Sequence, residues 1–275
     1  MKNKIRITVF KSFLFLLLVV CNALHASMLI SPTRAAINDR ERSAEVILIN
    51  TSDKTQSYRL GWKQQRALSE GGYEELDEQQ SENFATASNM LRFSPRQVTL
   101  KPNERQIVKL GVRRPKDLPD GEYRSHLLFM ALPTEDKVEQ STESAGIQLK
   151  LLLNYSIPVF VRKGKLNYDV VINEAHISQN EKADSTQYKI IVAFERSGIH
   201  GTYGSIQAYW TPNNSKEEIN VGTLNGVNFF AELKTITREV TWQPTTPPTS
   251  GKLRIAYEGG QEFYGKVLAE KVIEL

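Results

Sequence analysis

GIQLKLLLNYSIPVFV, residues 146–161, is the stretch on which the fold turns. Successive side chains of an extended chain point to opposite faces, so Ile147, Leu149, Leu151 and Leu153 share one face and Gln148, Lys150, Leu152 and Asn154 share the other. Apolar residues at a period of two predict a strand. The ordinary use of such a face is to cover the strand's own core. Here Leu152 places apolar content on the opposite face as well, and a strand loaded on both faces can lie at a sheet edge and lend side chains to another molecule by β-augmentation. The polar segment 133–144 in front of it suits a strand that orders with a partner.

Working outward, the same pattern recurs as short runs separated by polar turns. Upstream are MLISPTRAAI (28–37), SAEVILINTS (43–52), QSYRLGWKQQ (56–65), MLRFSPRQVTL (90–100), RQIVKLGVRR (105–114) and GEYRSHLLFMAL (121–132). With 146–161 this makes about seven strands in roughly 130 residues, the count of an immunoglobulin-like sandwich. Pro119-Asp120-Gly121 and Lys101-Pro102-Asn103 supply turns between them. Residues 66–89 are rich in Glu, Gln and Ser and read as a long exposed loop with a short helical turn. After Arg162-Lys163-Gly164-Lys165 come LNYDVVINEAHI (166–177), QYKIIVAFERSG (187–198), YGSIQAYW (203–210), EEINVGTLNGV (217–227), NFFAELKTITREVTW (228–242), GKLRIAYEGG (251–260) and FYGKVLAEKVIEL (263–275), a second sandwich. The expectation is an all-β chain with a signal peptide at 1–26, a domain at 27–161 and a C-terminal β-sandwich domain at 162–275.

The first residues indicate the compartment. Lys2, Lys4, Arg6 and Lys11 precede and enter the apolar run 13–20, followed by NALHAS, which is the layout of a secretory signal peptide cut after Ala26. The rival is an uncleaved anchor, but the apolar run is short for a membrane span; a lipoprotein would use Cys21, behind the bulky Val20. Four of the 35 basic residues lie in this segment, which leaves 31 against 31 acidic ones, so the apparent basicity argues for no nucleic-acid partner. The one cysteine also lies there, so disulfides and thiol chemistry are excluded for the exported chain and stability must come from apolar cores.

Little in the sequence supports catalysis. His126, His176 and His200 fall in separate strands or turns without metal-ligand spacing. His126 reads as a hydrogen-bonded strand residue, and His200-Gly-Thr-Tyr-Gly-Ser205 as a turn. Glu74, Glu75, Asp77 and Glu78 read as solvated charge, and Arg113-Arg114-Pro115-Lys116 as the surface end of a strand. Tyr203, Tyr209 and Trp210 are the one clustered aromatic group, spaced as a core strand would be. No enzyme, cofactor, metal or small-molecule substrate is expected.

ISPTRAAI (30–37), DGEYRSHLLF (120–129), IQLKLLLNYSIPVFVR (147–162) and the opening of the second sandwich together resemble the periplasmic pilus chaperones of the chaperone–usher pathway, the PapD-like family, in a divergent archaic or alternative branch. The resemblance implies two immunoglobulin-like β-sandwich domains in an L-shaped arrangement, located in the periplasm. It implies that the chain binds incomplete immunoglobulin-like pilin or fimbrial subunits by donor-strand complementation and delivers them to an outer-membrane usher, with self-dimerisation in the free state as a further expectation. Ile147, Leu149, Leu151 and Leu153 become the donor-strand plugs. Arg34 falls where the family places the arginine that anchors the subunit's C-terminal carboxylate. The partnering lysine departs from the pattern: counted back from Pro158 its place is taken by Leu153, and Lys150, on the expected face, lies three residues earlier. Asp120, Gly121, Tyr123 and Arg124 match the family's turn-to-strand motif, with Tyr123 packing as a tyrosine corner and Arg124 as a structural ion-pair partner. The competing expectation is a secreted β-sandwich binding protein or fibre-associated structural protein without chaperone activity.

Overall fold

The computed structural model describes residues 28–133, 151–182, 185–244 and 246–275. The expected signal segment, Ile147, Leu149 and Lys150 lie outside the described residues.

Across its described residues the chain is all-β apart from one short α-helix and two 3-10 turns. Its first half runs β1 (Met28–Ser31), β2 (Ala35–Ile37), β3 (Ser43–Asn50), β4 (Gln56–Lys63), β5 (Gln65–Ala67), β6 (Tyr73–Glu75), α1 (Glu78–Glu82), β7 (Leu91–Ser94), β8 (Gln97–Leu100), β9 (Arg105–Val112), β10 (Gly121–Ala131) and β11 (Tyr155–Lys163). One sheet has the order β1-β3-β9-β7 and the other β2-β11-β10-β4-β8. Alternate apolar residues of both meet between them: Val46, Leu48, Val108 and Leu110 from the first, Leu127, Phe129, Val159 and Val161 from the second, all inaccessible to solvent.

Two runs read as single strands each divide between the two sheets. Residues 28–37 become β1 in one sheet and β2 in the other; residues 90–100 become β7 and β8 in the same way. Pro32 and Pro95 sit at the crossings, and proline has no N–H with which to continue a ladder. The 66–89 segment is also more structured than an exposed loop. A β5–β6 hairpin turns through Gly71 and Gly72, both with positive φ, and α1 is capped by Asp77, whose carboxylate accepts from the Gln80 N–H at 2.7 Å. Ala67, Leu76 and Ala87 are buried because this excursion folds back onto the sheets.

The second half runs β12 (Asp169–Lys182), β13 (Ser185–Ser197), β14 (Thr202–Pro212), β15 (Ile219–Phe229), β16 (Thr235–Thr241), β17 (Gly251–Gly259) and β18 (Val267–Glu274). Its sheets have the orders β12-β13-β16 and β15-β14-β17-β18, and they enclose Ile190, Val192, Val240, Ile206, Val221, Leu253 and Ile255. The run 228–242 is not one strand: β15 ends at Phe229, and a turn closed by the Leu233 N–H on the Phe230 carbonyl at 3.0 Å precedes β16. That turn sends Phe229 into the second core, while Phe230 packs with Phe160 and Ala67 of the first half.

Two features of β11 position the site. It pairs antiparallel with β10 along its length, but parallel with β2 only at 159–161. Along 156–158 its second ladder side has no partner strand among the described residues. In addition, both faces of the β10–β11 pair are buried. Tyr123, Leu127, Phe129, Ile157, Val159 and Val161 face the first core; Glu122, Arg124, Phe160 and Arg162 occupy the alternate positions and are buried against residues of the second half, and His126, on the same face, is buried beside Tyr73.

Candidate functional site

The buried polar face is a linked set of ion pairs. Glu122 and Arg162 stand directly opposite in the β10–β11 register, and the Arg162 Nε donates to the Glu122 Oε2 at 2.7 Å. Arg162 Nη1 donates to the Glu262 Oε1 at 2.8 Å, across to the turn between β17 and β18. Glu262 also receives Arg34, whose Nη1 lies 2.8 and 2.9 Å from its two oxygens. Arg34 enters from the bend between β1 and β2, with its guanidinium 4.5 Å from the Phe160 ring centroid and 4.6 Å from that of Tyr203. Beside this set, Arg124 donates to Glu232 at 2.6 and 3.1 Å and lies 4.1 Å over the Phe230 ring. Glu232 also accepts the Ala67 N–H at 3.0 Å.

Burial decides how these pairs behave. The side chains of Arg34 and Arg162 are 3% and 1% exposed, so neither charge is balanced by water and each needs its carboxylate. Burial alone would raise the Glu262 carboxyl, but the Arg34 and Arg162 guanidiniums outweigh it and hold the group below its ordinary value. Burial likewise opposes the charge on Arg162, and Glu122 and Glu262 reverse that and hold it above the usual arginine range.

The residues singled out in the sequence are distributed as follows. Arg34 lies at the centre of the ion-pair set, and Arg124 lies beside it. The Tyr123 ring packs against the first core and its hydroxyl donates to the Pro119 carbonyl at 3.0 Å, the local contact of a tyrosine corner. Gly121 opens β10 opposite Lys163, and the Asp120 carboxylate packs so closely on Gly164 that an added Cβ there would lie 2.3 Å from its Oδ2. Leu151 and Leu153 precede β11 in a stretch without ladder pairing to any of the described residues, with exposures of 78% and 56%. Among the described residues no group of three or more His, Cys, Asp or Glu side chains is placed to hold a metal ion.

The sequence reading missed Glu122, Phe160, Arg162, Phe230, Glu232 and Glu262, and it read Tyr203 as part of a core strand rather than as a partner of Arg34. One local signal was present: Phe160 and Arg162 alternate with Val159 and Val161 in IPVFVR, so an arginine continues an apolar face and must be paired if that face is covered. Arg114 also differs from a surface strand end. Its guanidinium donates to the carbonyls of Ile37, Asn38, Glu41 and Arg162, tying β2 and β11 to the β9 end.

His126 corrects a further expectation. It is buried, and neither ring nitrogen has a hydrogen-bond partner among the described residues; the ring instead meets Tyr73 edge-on at 4.8 Å. Burial, helped by the Arg124 and Lys63 charges, pushes its pKa down to about 3. The unfolded chain therefore binds a proton that the folded chain does not as the pH falls from about 6.5 towards 3, so stability declines over that window by up to about 1.4 kcal/mol per pH unit. Urea unfolding between pH 7 and pH 5 is expected to show a shallower slope in His126→Leu than in the wild type, the remainder coming from His200, whose pKa burial also lowers; equal slopes would place the acid sensitivity elsewhere.

No family model matches the chain, and no curated protein matches it. Solved structures do overlay it along most of its length. The YadV chaperone is 12% identical, with a TM-score of 0.43 over 91% of this chain and 100% of that one. The CupB2 chaperone of Pseudomonas aeruginosa is 12% identical, with a TM-score of 0.42 over 90% of this chain and 98% of that one. The E. coli chaperone DraB is 14% identical, with a TM-score of 0.42 over 90% and 98% of the two chains. Overlaps this loose transfer no partner and no residue role to this chain.

Proposed function

We propose that the chain is a periplasmic chaperone for fibre subunits that works by donor-strand complementation. On this reading residues 1–26 are a signal peptide, 27–161 an immunoglobulin-like domain carrying the donor strand, and 162–275 a second sandwich domain, the two set in an L. The observation that supports the reading is that, among the described residues, β11 has no second partner strand along 156–158, shortly after the exposed Leu151 and Leu153. An exposed strand edge with unpaired backbone groups accepts another strand, and apolar side chains at alternate positions then decide which groove it fits. Ile147, Leu149, Leu151 and Leu153 fill the groove of a pilin or fimbrial subunit that lacks its last strand, and the main chain supplies the hydrogen bonds. Arg34 and Lys150 take the subunit's C-terminal carboxylate, Arg34 through the forked donors that suit a carboxylate. An outer-membrane usher receives the complex, and the next subunit displaces the donor strand. The exchange needs no cofactor, because the subunit's own further folding drives it.

Co-purification from periplasmic extract tests this. Wild-type protein is expected to recover a small β-rich secreted subunit. The Ile147→Asp/Leu149→Asp/Leu151→Asp variant, folded by circular dichroism, is expected to lose it. Equal recovery by both would reduce 147–151 to an ordinary strand and remove the mechanism.

A further inference from the structure

We propose that Glu262 is an internal stand-in for a client carboxylate: it holds the Arg34 and Arg162 guanidiniums in the free protein and is displaced from them when a carboxylate from a bound protein arrives. The identity of the incoming group rests on the chaperone reading; the exchange itself is a property of this chain's own residues.

Charge balance is the first support. Arg34 and Arg162 are matched by Glu122 and Glu262, all linked by hydrogen bonds. Among the described residues Glu262 is the one carboxylate within hydrogen-bond reach of Arg34, so a second carboxylate engages that guanidinium by taking the place of Glu262. Replacing one carboxylate by another conserves the balance.

Hydrogen-bond satisfaction is the second. With Glu262 in place, Arg34 Nε and Arg162 Nη2 are both buried and have no acceptor among the described residues. A buried donor without an acceptor is costly. Glu262 reaches Arg34 only through Nη1, whereas a carboxylate that approaches the guanidinium side-on engages two of its nitrogens in the bidentate geometry arginine favours. The closed arrangement is therefore not the best-satisfied one available to Arg34.

The third is how Glu262 is delivered. It sits in the 3-10 turn Gln261–Phe263, whose first residue has φ of 53°, a left-handed conformation disfavoured for a residue with a side chain. Phe263 is fully buried and fixes the far end of the turn, so the strained Gln261–Glu262 end is the part able to change. The Glu262 side chain is 12% exposed against 3% for Arg34, so a group arriving from solvent meets Glu262 before it meets the arginine.

The test uses the full mature chain, with acetate and acetamide as probes and the arginine Nε–Hε resonances as the readout. Glu262→Gln keeps a hydrogen-bonding side chain but removes the competing charge. It is expected to bind acetate at least about tenfold more tightly than the wild type, with the largest shift at Arg34, and to show no response to acetamide. Arg34→Lys in the Glu262→Gln background is expected to abolish the Arg34 signal and return acetate affinity to the wild-type level. Identical acetate responses in wild type and Glu262→Gln would overturn the proposal, as would an equal gain for acetamide, which would mean only an opened cavity. Should Glu262→Gln not fold, Glu262→Asp withdraws the carboxylate by one methylene, and it must show a smaller gain in the same direction or the proposal fails. No client is present in the assay, so acetate exchange that persists while client capture fails would overturn the chaperone reading and leave the Glu262 exchange standing.

Discussion

Arg162→Leu is expected to destabilise the protein by about 3–5 kcal/mol, because it leaves buried charges without their partner. Glu122 is 3% exposed and its carboxylate is paired with Arg162 at 2.7 Å; Glu262 loses one of its two guanidiniums at the same time. The lost aliphatic packing is largely restored by leucine, so the cost measures the electrostatic imbalance. Adding Glu122→Gln removes the stranded charge, and the double variant is expected to recover part of the loss, which gives a coupling energy between two residues opposite each other in adjacent strands. Urea unfolding of the wild type, both single variants and the double variant reads this directly. Additive losses would show that the pair is not coupled in the folded protein.

Phe160→Ala is expected to cost a similar amount, about 3–5 kcal/mol, by a different route. Phe160 is 1% exposed and belongs to neither main core; it packs with Ala67 and Phe230, stacking on the latter with centroids 6.1 Å apart at 18°. Its ring also lies beneath the Arg34 and Arg162 guanidiniums at 4.5 and 5.7 Å. Truncation therefore removes a buried apolar contact and the aromatic face on which two buried cations rest. The two halves of the chain meet through this cluster and the ion pairs, so Phe160→Ala is expected to broaden or split the calorimetric unfolding transition, whereas Phe129→Ala, inside the first core, is expected to lower it without splitting it. A single sharp transition in both variants would mean that Phe160 does not couple the halves.

The strands were legible because alternation is a local property: Val46 and Leu48, Leu127 and Phe129, Ile190 and Val192 declare their faces within a few residues. The crossings at Pro32 and Pro95 were less so, since a proline between two apolar runs reads equally as a strand end or as a turn within one edge strand. The ion-pair face was hidden for a deeper reason. Glu122, Arg124 and His126 alternate with apolar residues just as a solvent-facing row would, and only the residues that cover them distinguish the two cases. Those covering residues, Phe230, Glu232 and Glu262, lie far along the chain and pair with Arg124, Arg34 and Arg162 through tertiary folding alone. Arg34 was found through a family likeness, and its partner Glu262 could not have been found from any local pattern.

Amide hydrogen exchange across 147–153 and 155–157, in the free protein and in a complex recovered from periplasmic extract, tests the donor-strand mechanism most directly. A donated strand forms a ladder with its client, so these amides are expected to exchange at least about tenfold more slowly in the complex. Unchanged exchange in this stretch, with protection appearing elsewhere on the surface, would contradict it and show that the client is held by another face.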